Sequence, residues 1–129
     1  MSVVSKTIKY LLDKNISVST AESCTGGLLA AEFTAVSGIS KIYKTGLITY
    51  SNDSKIKNLK VKPSTIKRYG AVSRQVCAQM CLHLHKISKS QLTFSTTGVA
   101  GPNGGTKLKP VGLVSVSYTH LRAHETRPN

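Results

Sequence analysis

Apolar positions recur along this chain with two periods, and the points where one period gives way to the other mark its elements. From Ser2, the residues Val4, Ile8, Leu11 and Leu12 fall at helical spacing, and Asp13-Lys14-Asn15 supplies a polar stop. Ile16 to Thr20 alternates apolar and hydroxyl residues, which predicts a short strand. The small-residue stretch Ala21 to Gly27 leads into Leu28-Leu29-Ala30-Ala31-Glu32-Phe33, a second helix broken by Ser37-Gly38. Gly46 to Tyr50 reads as a second strand, and Ser51-Asn52-Asp53 turns the chain, with Asp53 placed to cap the next helix. Pro63-Ser64 and Tyr69-Gly70 bound a short helical piece. Ser73 then caps a helix carrying Val76, Met80, Leu84 and Ile87 on one face. Gln91 to Thr97 is strand-like, a Gly/Pro-rich loop spans Gly98 to Gly105, and Pro110 to Tyr118 closes as a strand. Strands alternating with helices predict a single α/β domain, a three-layer α/β/α sandwich.

The final segment, Thr119 to Asn129, abandons both periods. It resembles a translated adapter at the broken end of a reading frame, so residues 1–118 are read as the domain and 119–129 as a non-native tail; a genuine basic tail is the rival reading. On the first reading, the elements that should follow Tyr118 are missing.

A length of 129 residues leaves room for one core, and 40% hydrophobic residues in periodic groups argue for a folded one. The apolar runs are far shorter than the roughly 20 residues that span a bilayer. Lys6, Lys9 and Lys14 interrupt any leader-like run, so a cytoplasmic location and no membrane partner are expected. Cys24, Cys77 and Cys81 fit reduced thiols better than a disulfide framework. The charge is lopsided, 18 Lys+Arg against 5 Asp+Glu for a formal +13, which brings a polyanionic partner to mind. Aromatic residues are only 5% and Trp is absent, so the stacking platforms of many nucleic-acid readers are missing, and a nucleic-acid partner is not the expectation.

Two glycine-bearing turns attract attention. Thr25-Gly26-Gly27 immediately precedes a helix, where unpaired N–H groups and the helix dipole favour an anion such as phosphate. Gly98-Val99-Ala100-Gly101-Pro102-Asn103-Gly104-Gly105 holds four glycines, more than any packing argument needs, and close approach of backbone to a ligand would explain them. Neither turn matches a nucleotide-binding fingerprint. Ser40, Tyr50 and Lys55 form a candidate catalytic cluster, since a lysine partly shielded near a helix N-terminus loses its proton readily and can activate a serine. Cys77, Cys81 and His85 stand four residues apart on one helix, but no fourth ligand accompanies them, and buried thiols on a helix face are the better reading. Scattered carboxylates give no support to a paired-carboxylate hydrolase.

Four motifs occur in order: Ala-Glu-Ser-Cys-Thr-Gly-Gly at 21–27, Thr-Tyr-Ser-Asn at 49–52, Tyr-Gly-Ala-Val-Ser at 69–73, and Gly-Val-Ala-Gly-Pro-Asn-Gly-Gly at 98–105 followed by Lys-Pro-Val-Gly at 109–112. Together, over about residues 5–118, they resemble the CinA C-terminal family, the nicotinamide mononucleotide deamidases, in their stand-alone form. The resemblance implies an amidohydrolase that converts nicotinamide mononucleotide to nicotinate mononucleotide and ammonia in pyridine-nucleotide salvage. It implies an α/β/α fold and a homo-oligomer, with no metal and no cofactor. The family's catalytic Ser, Tyr and Lys map onto Ser40, Tyr50 and Lys55; the usual Gly-Ser-Ser is here Gly38-Ile39-Ser40, and Ser37 is the competing hydroxyl. Ser23, Thr25, Gly26, Gly27, Gly98, Gly101, Gly104 and Gly105 are the expected substrate contacts, and a Gly-rich loop is expected to hold the oxyanion. Family members continue beyond Tyr118 through a further strand and a basic helix. The competing functional reading is a non-catalytic basic binding module associated with DNA competence or repair.

Overall fold

The computed structural model describes residues 2–99 and 101–120. Strands β1 (Val18–Glu22), β2 (Tyr43–Ile48), β3 (Leu92–Gly98) and β4 (Val114–His120) form one sheet in the order β2-β1-β3-β4. β1 pairs in parallel with both β2 and β3, whereas β4 runs antiparallel to β3. Helices α1 (Val3–Asp13) and α2 (Leu28–Thr34), with a 3₁₀ turn at Ile39–Lys41, make one apolar layer; α3 (Asn52–Leu59), α4 (Pro63–Tyr69) and α5 (Arg74–Ser88) make the other.

The period-2 geometry of β1 explains why both faces are covered, because its successive side chains point to opposite sides. Val18 packs with Ile8, Leu11, Phe33, Ile39 and Ile42 under α1 and α2. Ala21, three positions on, packs with Leu59, Val61, Val76, Met80 and Leu84 under α3 and α5. All five residues of β1 are buried, as a strand sandwiched between two helical layers requires. The α/β/α expectation therefore stands as the observed architecture.

Several boundaries move. β2 begins at Tyr43 rather than Gly46, because the Tyr43 hydroxyl reaches Thr20 Oγ1 at 2.6 Å and Tyr43 stacks on Phe33. The α3 cap is Ser51, whose Oγ accepts from Ser54 N at 3.0 Å; Asp53 sits in the first turn and pairs with Lys57 at 3.2 Å instead. Ser73 caps α5 as its sequence position predicts, its Oγ accepting from Val76 N at 3.2 Å. β4 starts only at Val114, since residues 110–113 form a tight turn in which Leu113 N donates to Pro110 O and Gly112 has φ +94°. The strand then continues through Thr119 and His120, which register with Thr93 and Leu92. The remainder of the expected tail, 121–129, lies outside the described residues. No helix among the described residues is long and apolar enough to cross a membrane.

Candidate active site

The connection leaving β1 leads to β2 on one side of it, and the connection leaving β3 leads to β4 on the other. The C-terminal ends of β1 and β3 are thus the topological switch point of the sheet, where open α/β folds form their crevices. The turn Ser23–Gly27 and the loop 99–113 both leave from this rim, and β2 delivers Thr49, Tyr50 and the start of α3 beside them.

The chemistry at this rim rests on Lys55. Placed one turn into α3, its side chain points inward and is 1% exposed, and Nζ donates to Ser23 Oγ at 2.9 Å and to the Tyr50 carbonyl oxygen at 3.1 Å. Ser23 is itself buried, its backbone N–H tied to Thr96 O at 3.1 Å and its hydroxyl 3.5 Å from the same Tyr50 carbonyl. Burial pushes the Lys55 ammonium below its ordinary range, with Cys24 pulling weakly the other way. A buried amine with a lowered proton affinity beside a serine hydroxyl has the chemistry to act as a general base toward a nucleophile.

Glu22 organises the turn around this pair. It is 1% exposed, and its Oε1 accepts from Thr25 Oγ1 at 2.6 Å, Leu29 N at 2.9 Å and Gly27 N at 3.2 Å, while Oε2 accepts from Ala30 N at 2.9 Å. A carboxylate from the end of β1 therefore occupies the start of α2. The phosphate expected at Thr25-Gly26-Gly27 finds that position taken: Gly27 N–H is bound to Glu22, Gly26 N–H donates to Ser23 O at 3.0 Å, and Thr25 Oγ1 is shared with Thr96 Oγ1 at 2.9 Å. Burial raises the Cys24 thiol above its ordinary range, with the backbone N–H groups of Cys24 and Thr25 pulling the other way.

The structure does not bring Ser40 to this rim. Ser40 is exposed in the 3₁₀ turn before β2, whereas Lys55 follows the other end of that strand. Six residues of strand separate the two ends, about 20 Å at roughly 3.3 Å per residue. Ser37 is likewise exposed and lies before the same turn. Tyr50 enters through its main-chain carbonyl, while its side chain is 65% exposed.

The glycine-rich loop is organised largely by itself. Val99 N donates to Leu113 O and Gly112 N to Val99 O, and a Cβ at Gly101 or Gly105 would collide with Val111. Those two glycines are thus required by packing, contrary to the expectation that only a ligand would demand them. Gly104, at φ +89°, faces open space, and Gly98 ends β3 at the rim. Lys109 Nζ donates to the Tyr69 carbonyl, latching the loop to the end of α4.

Cys77, Cys81 and His85 are packed against β3. Cys77 Sγ lies 3.4 Å from Ser95 O, Cys81 Sγ 3.3 Å from Thr93 O, and His85 Nδ1 3.0 Å from Thr93 Oγ1.

The sequence profile of the CinA C-terminal domain matches residues 1–128. The chain belongs to the CinA C-terminal domain family. A competence-damage inducible protein of Clostridium novyi is 56% identical over 108 residues, which cover 84% of this chain and 26% of that protein. A protein of the same description from Acetivibrio thermocellus is 49% identical over 119 residues, covering 92% of this chain and 29% of the relative. The chain thus spans little more than a quarter of the length of these curated relatives. Among solved structures, the competence/damage inducible protein CihA of Agrobacterium tumefaciens superposes with a TM-score of 0.87 at 38% identity, covering 93% of this chain and 78% of that one. A competence or damage-inducible protein of Enterobacter asburiae gives 0.85 at 31% identity with the same coverage.

Ser23 and Glu22 are the residues whose chemistry the sequence understated. Ser23 stood among the substrate contacts and Glu22 among scattered carboxylates. The available signal was a serine on the first turn between a strand and a helix, the position that exposes a nucleophile at the top of an α/β sheet.

Proposed function

We propose that the chain carries a serine amidohydrolase site, with Ser23 rather than Ser40 as nucleophile and Lys55 as its base, acting on the carboxamide of nicotinamide mononucleotide. The observation that carries this reading is the buried 2.9 Å contact between Lys55 Nζ and Ser23 Oγ at the switch point of the sheet. The substrate rests on the family resemblance.

Neutral Lys55 accepts the Ser23 hydroxyl proton as Oγ attacks the carboxamide carbon, and the carbonyl oxygen becomes an oxyanion. The N–H groups of Cys24 and Thr25 stabilise that charge, a contribution of about 10²- to 10³-fold in comparable sites. Lys55 returns the proton to the amide nitrogen, the C–N bond breaks, and ammonia leaves an acyl ester on Ser23. Water then attacks the ester while Lys55 takes one of its protons, that proton returns to Ser23 Oγ as the acyl–serine bond breaks, and the carboxylic acid product gives up its remaining proton to solvent as it departs. The Tyr50 carbonyl holds Lys55 in line throughout, so the backbone of this residue and not its phenol performs the orienting role.

The test is ammonia release from nicotinamide mononucleotide. Ser23→Ala and Lys55→Met should each lose at least about 10³-fold in kcat, as removal of a nucleophile or its base does elsewhere. Ser40→Ala should retain activity within a few-fold. An active Ser23→Ala protein, or an inactive Ser40→Ala protein with an unchanged melting temperature, overturns the assignment.

A further inference from the structure

Charge in this molecule is segregated by layer. Between Asn52 and Lys89 the chain carries nine Lys+Arg and a single acid, Asp53, whereas residues 1–51 carry five and three. The first of these stretches builds the α3–α4–α5 layer. Lys55 is buried in the catalytic rim, Asp53 is paired with Lys57, and the eight other cations are exposed.

Three of the exposed cations converge. Lys60 follows the last turn of α3, Lys62 precedes α4, and Lys86 lies in the last turn of α5. Lys62 N–H is bonded to Gln79 of α5, which brings the α3–α4 connection that carries Lys60 and Lys62 against the helix that carries Lys86; the His83 ring on that helix is held below its ordinary proton affinity by burial and then by the charges of Lys86, Lys60 and Lys62. Gln79 fixes the arrangement, accepting from Lys62 N at 2.9 Å and donating to Thr65 Oγ1 at 2.8 Å. Helix C-termini attract cations, but each contributes only about half a negative charge, so three of them leave most of the eight exposed cations uncompensated. The cluster also stands apart from the dyad. α5 begins near the catalytic rim, where Thr97 Oγ1 donates to Ala71 O, and ends at the connection to the opposite end of β3.

We propose that the exposed face of α3, α4 and α5 is a docking surface for the phosphate backbone of duplex nucleic acid, centred on Lys60, Lys62 and Lys86. The surface is complementary to a polyanion and carries no acidic group beyond the paired Asp53. An anionic bilayer fits it less well, because membrane-surface helices lay an apolar stripe beside their cations. The exposed large apolar residues of α5, Leu82 and Ile87, stand five positions apart, about 140° around the helix, and form no stripe. Stacking of single-stranded bases would call for aromatic platforms, and Tyr69 alone of this layer exposes a large aromatic ring. The contact is therefore with backbone and carries no sequence preference.

The inference is independent of the amidase reading, and Ser23→Ala should leave it intact. The experiment titrates the full 129-residue chain into a labelled mixed-sequence DNA duplex across a salt series. Replacing Lys60, Lys62 and Lys86 together by Gln should make the slope of log affinity against log salt shallower by about 2 to 3, and weaken binding at low salt by more than tenfold. Replacing Lys6, Lys9 and Lys14 by Gln removes the same charge from α1 and its C-cap and should leave affinity within about two- to threefold. Equal losses in the two triple variants would show bulk attraction rather than a site, and overturn the proposal. So would absence of duplex binding at low salt, or binding to phosphatidylserine vesicles without binding to the duplex.

Discussion

Lys55 gives up its hydration to sit against Ser23, and on the proposed mechanism that burial is what fits it to act as a base. Because desolvation disfavours the ammonium, its proton affinity in the folded chain lies below the ordinary lysine value of 10.5. Activity is therefore expected to rise with pH along a limb centred below 10.5, as the neutral amine becomes available to Ser23. Stability follows by linkage. Between the folded and unfolded pKa values the unfolded chain binds more protons, so the free energy of unfolding rises with pH through that window, and the gain is lost as pH falls through the folded value. Melting temperature against pH should show this rise in the native protein and a flatter profile in Lys55→Met. Identical profiles for the two would mean that Lys55 keeps an ordinary pKa. Ser40 has none of this environment, since it lies exposed before β2.

At the scale of elements, one carboxylate ties a strand to a helix. Glu22 ends β1 and satisfies Gly27 N, Leu29 N and Ala30 N at the start of α2, where Gly27 at the N-cap has no side chain to do so. Glu22→Ala should cost about 3 kcal/mol, as loss of a charged acceptor shared by several half-buried donors does. A fall in melting temperature of roughly 10 °C would follow for a chain of this size. Ammonia release should fall with it, because Ser23 is the next residue. A melting temperature within about 2 °C of the parent would show that water replaces the carboxylate freely.

The glycine-rich loop allows a sharper contrast. Gly101 and Gly104 both have positive φ, but only a Cβ at Gly101 collides with Val111. Gly104→Ala should cost about 1 kcal/mol for the left-handed backbone alone, and Gly101→Ala clearly more. Urea midpoints compare the two, and equal midpoints would remove Val111 from the account of this loop.

At the scale of the whole molecule, the sheet formed by the described residues ends on β4, which among them pairs with β3 alone. An edge strand offers unpaired N–H and C=O groups to another chain, and Tyr118 adds a large exposed ring. The 129-residue chain is expected to self-associate with rising concentration, and Tyr118→Lys should shift sedimentation toward the monomer by placing a charge on that edge. If the parent chain sediments as a monomer at every concentration, the edge is protected and this reading of β4 fails.

How much of this was legible in the chain follows from the range over which each feature is encoded. The helix–strand alternation and the Ser73 cap are local or periodic properties, decided within a few residues by side-chain spacing and capping chemistry. They survive in the fold almost as the sequence predicts. The pairing behind the proposed nucleophile is not local. Ser23 and Lys55 are 32 residues apart and meet because parallel pairing of β1 with β2 sets the C-terminal ends of both strands side by side. Ser40, nearer to Lys55 in the chain, is carried by β2 to the opposite rim. Likewise Glu22 is one of five acids until the fold turns the start of α2 toward it. Charge segregation is visible in the sequence as a long stretch with a single acid, yet only the packing of α3, α4 and α5 into one layer makes it a face. Backbone period is written residue by residue, whereas proximity between distant side chains is decided by strand order and direction, which are properties of the assembled sheet.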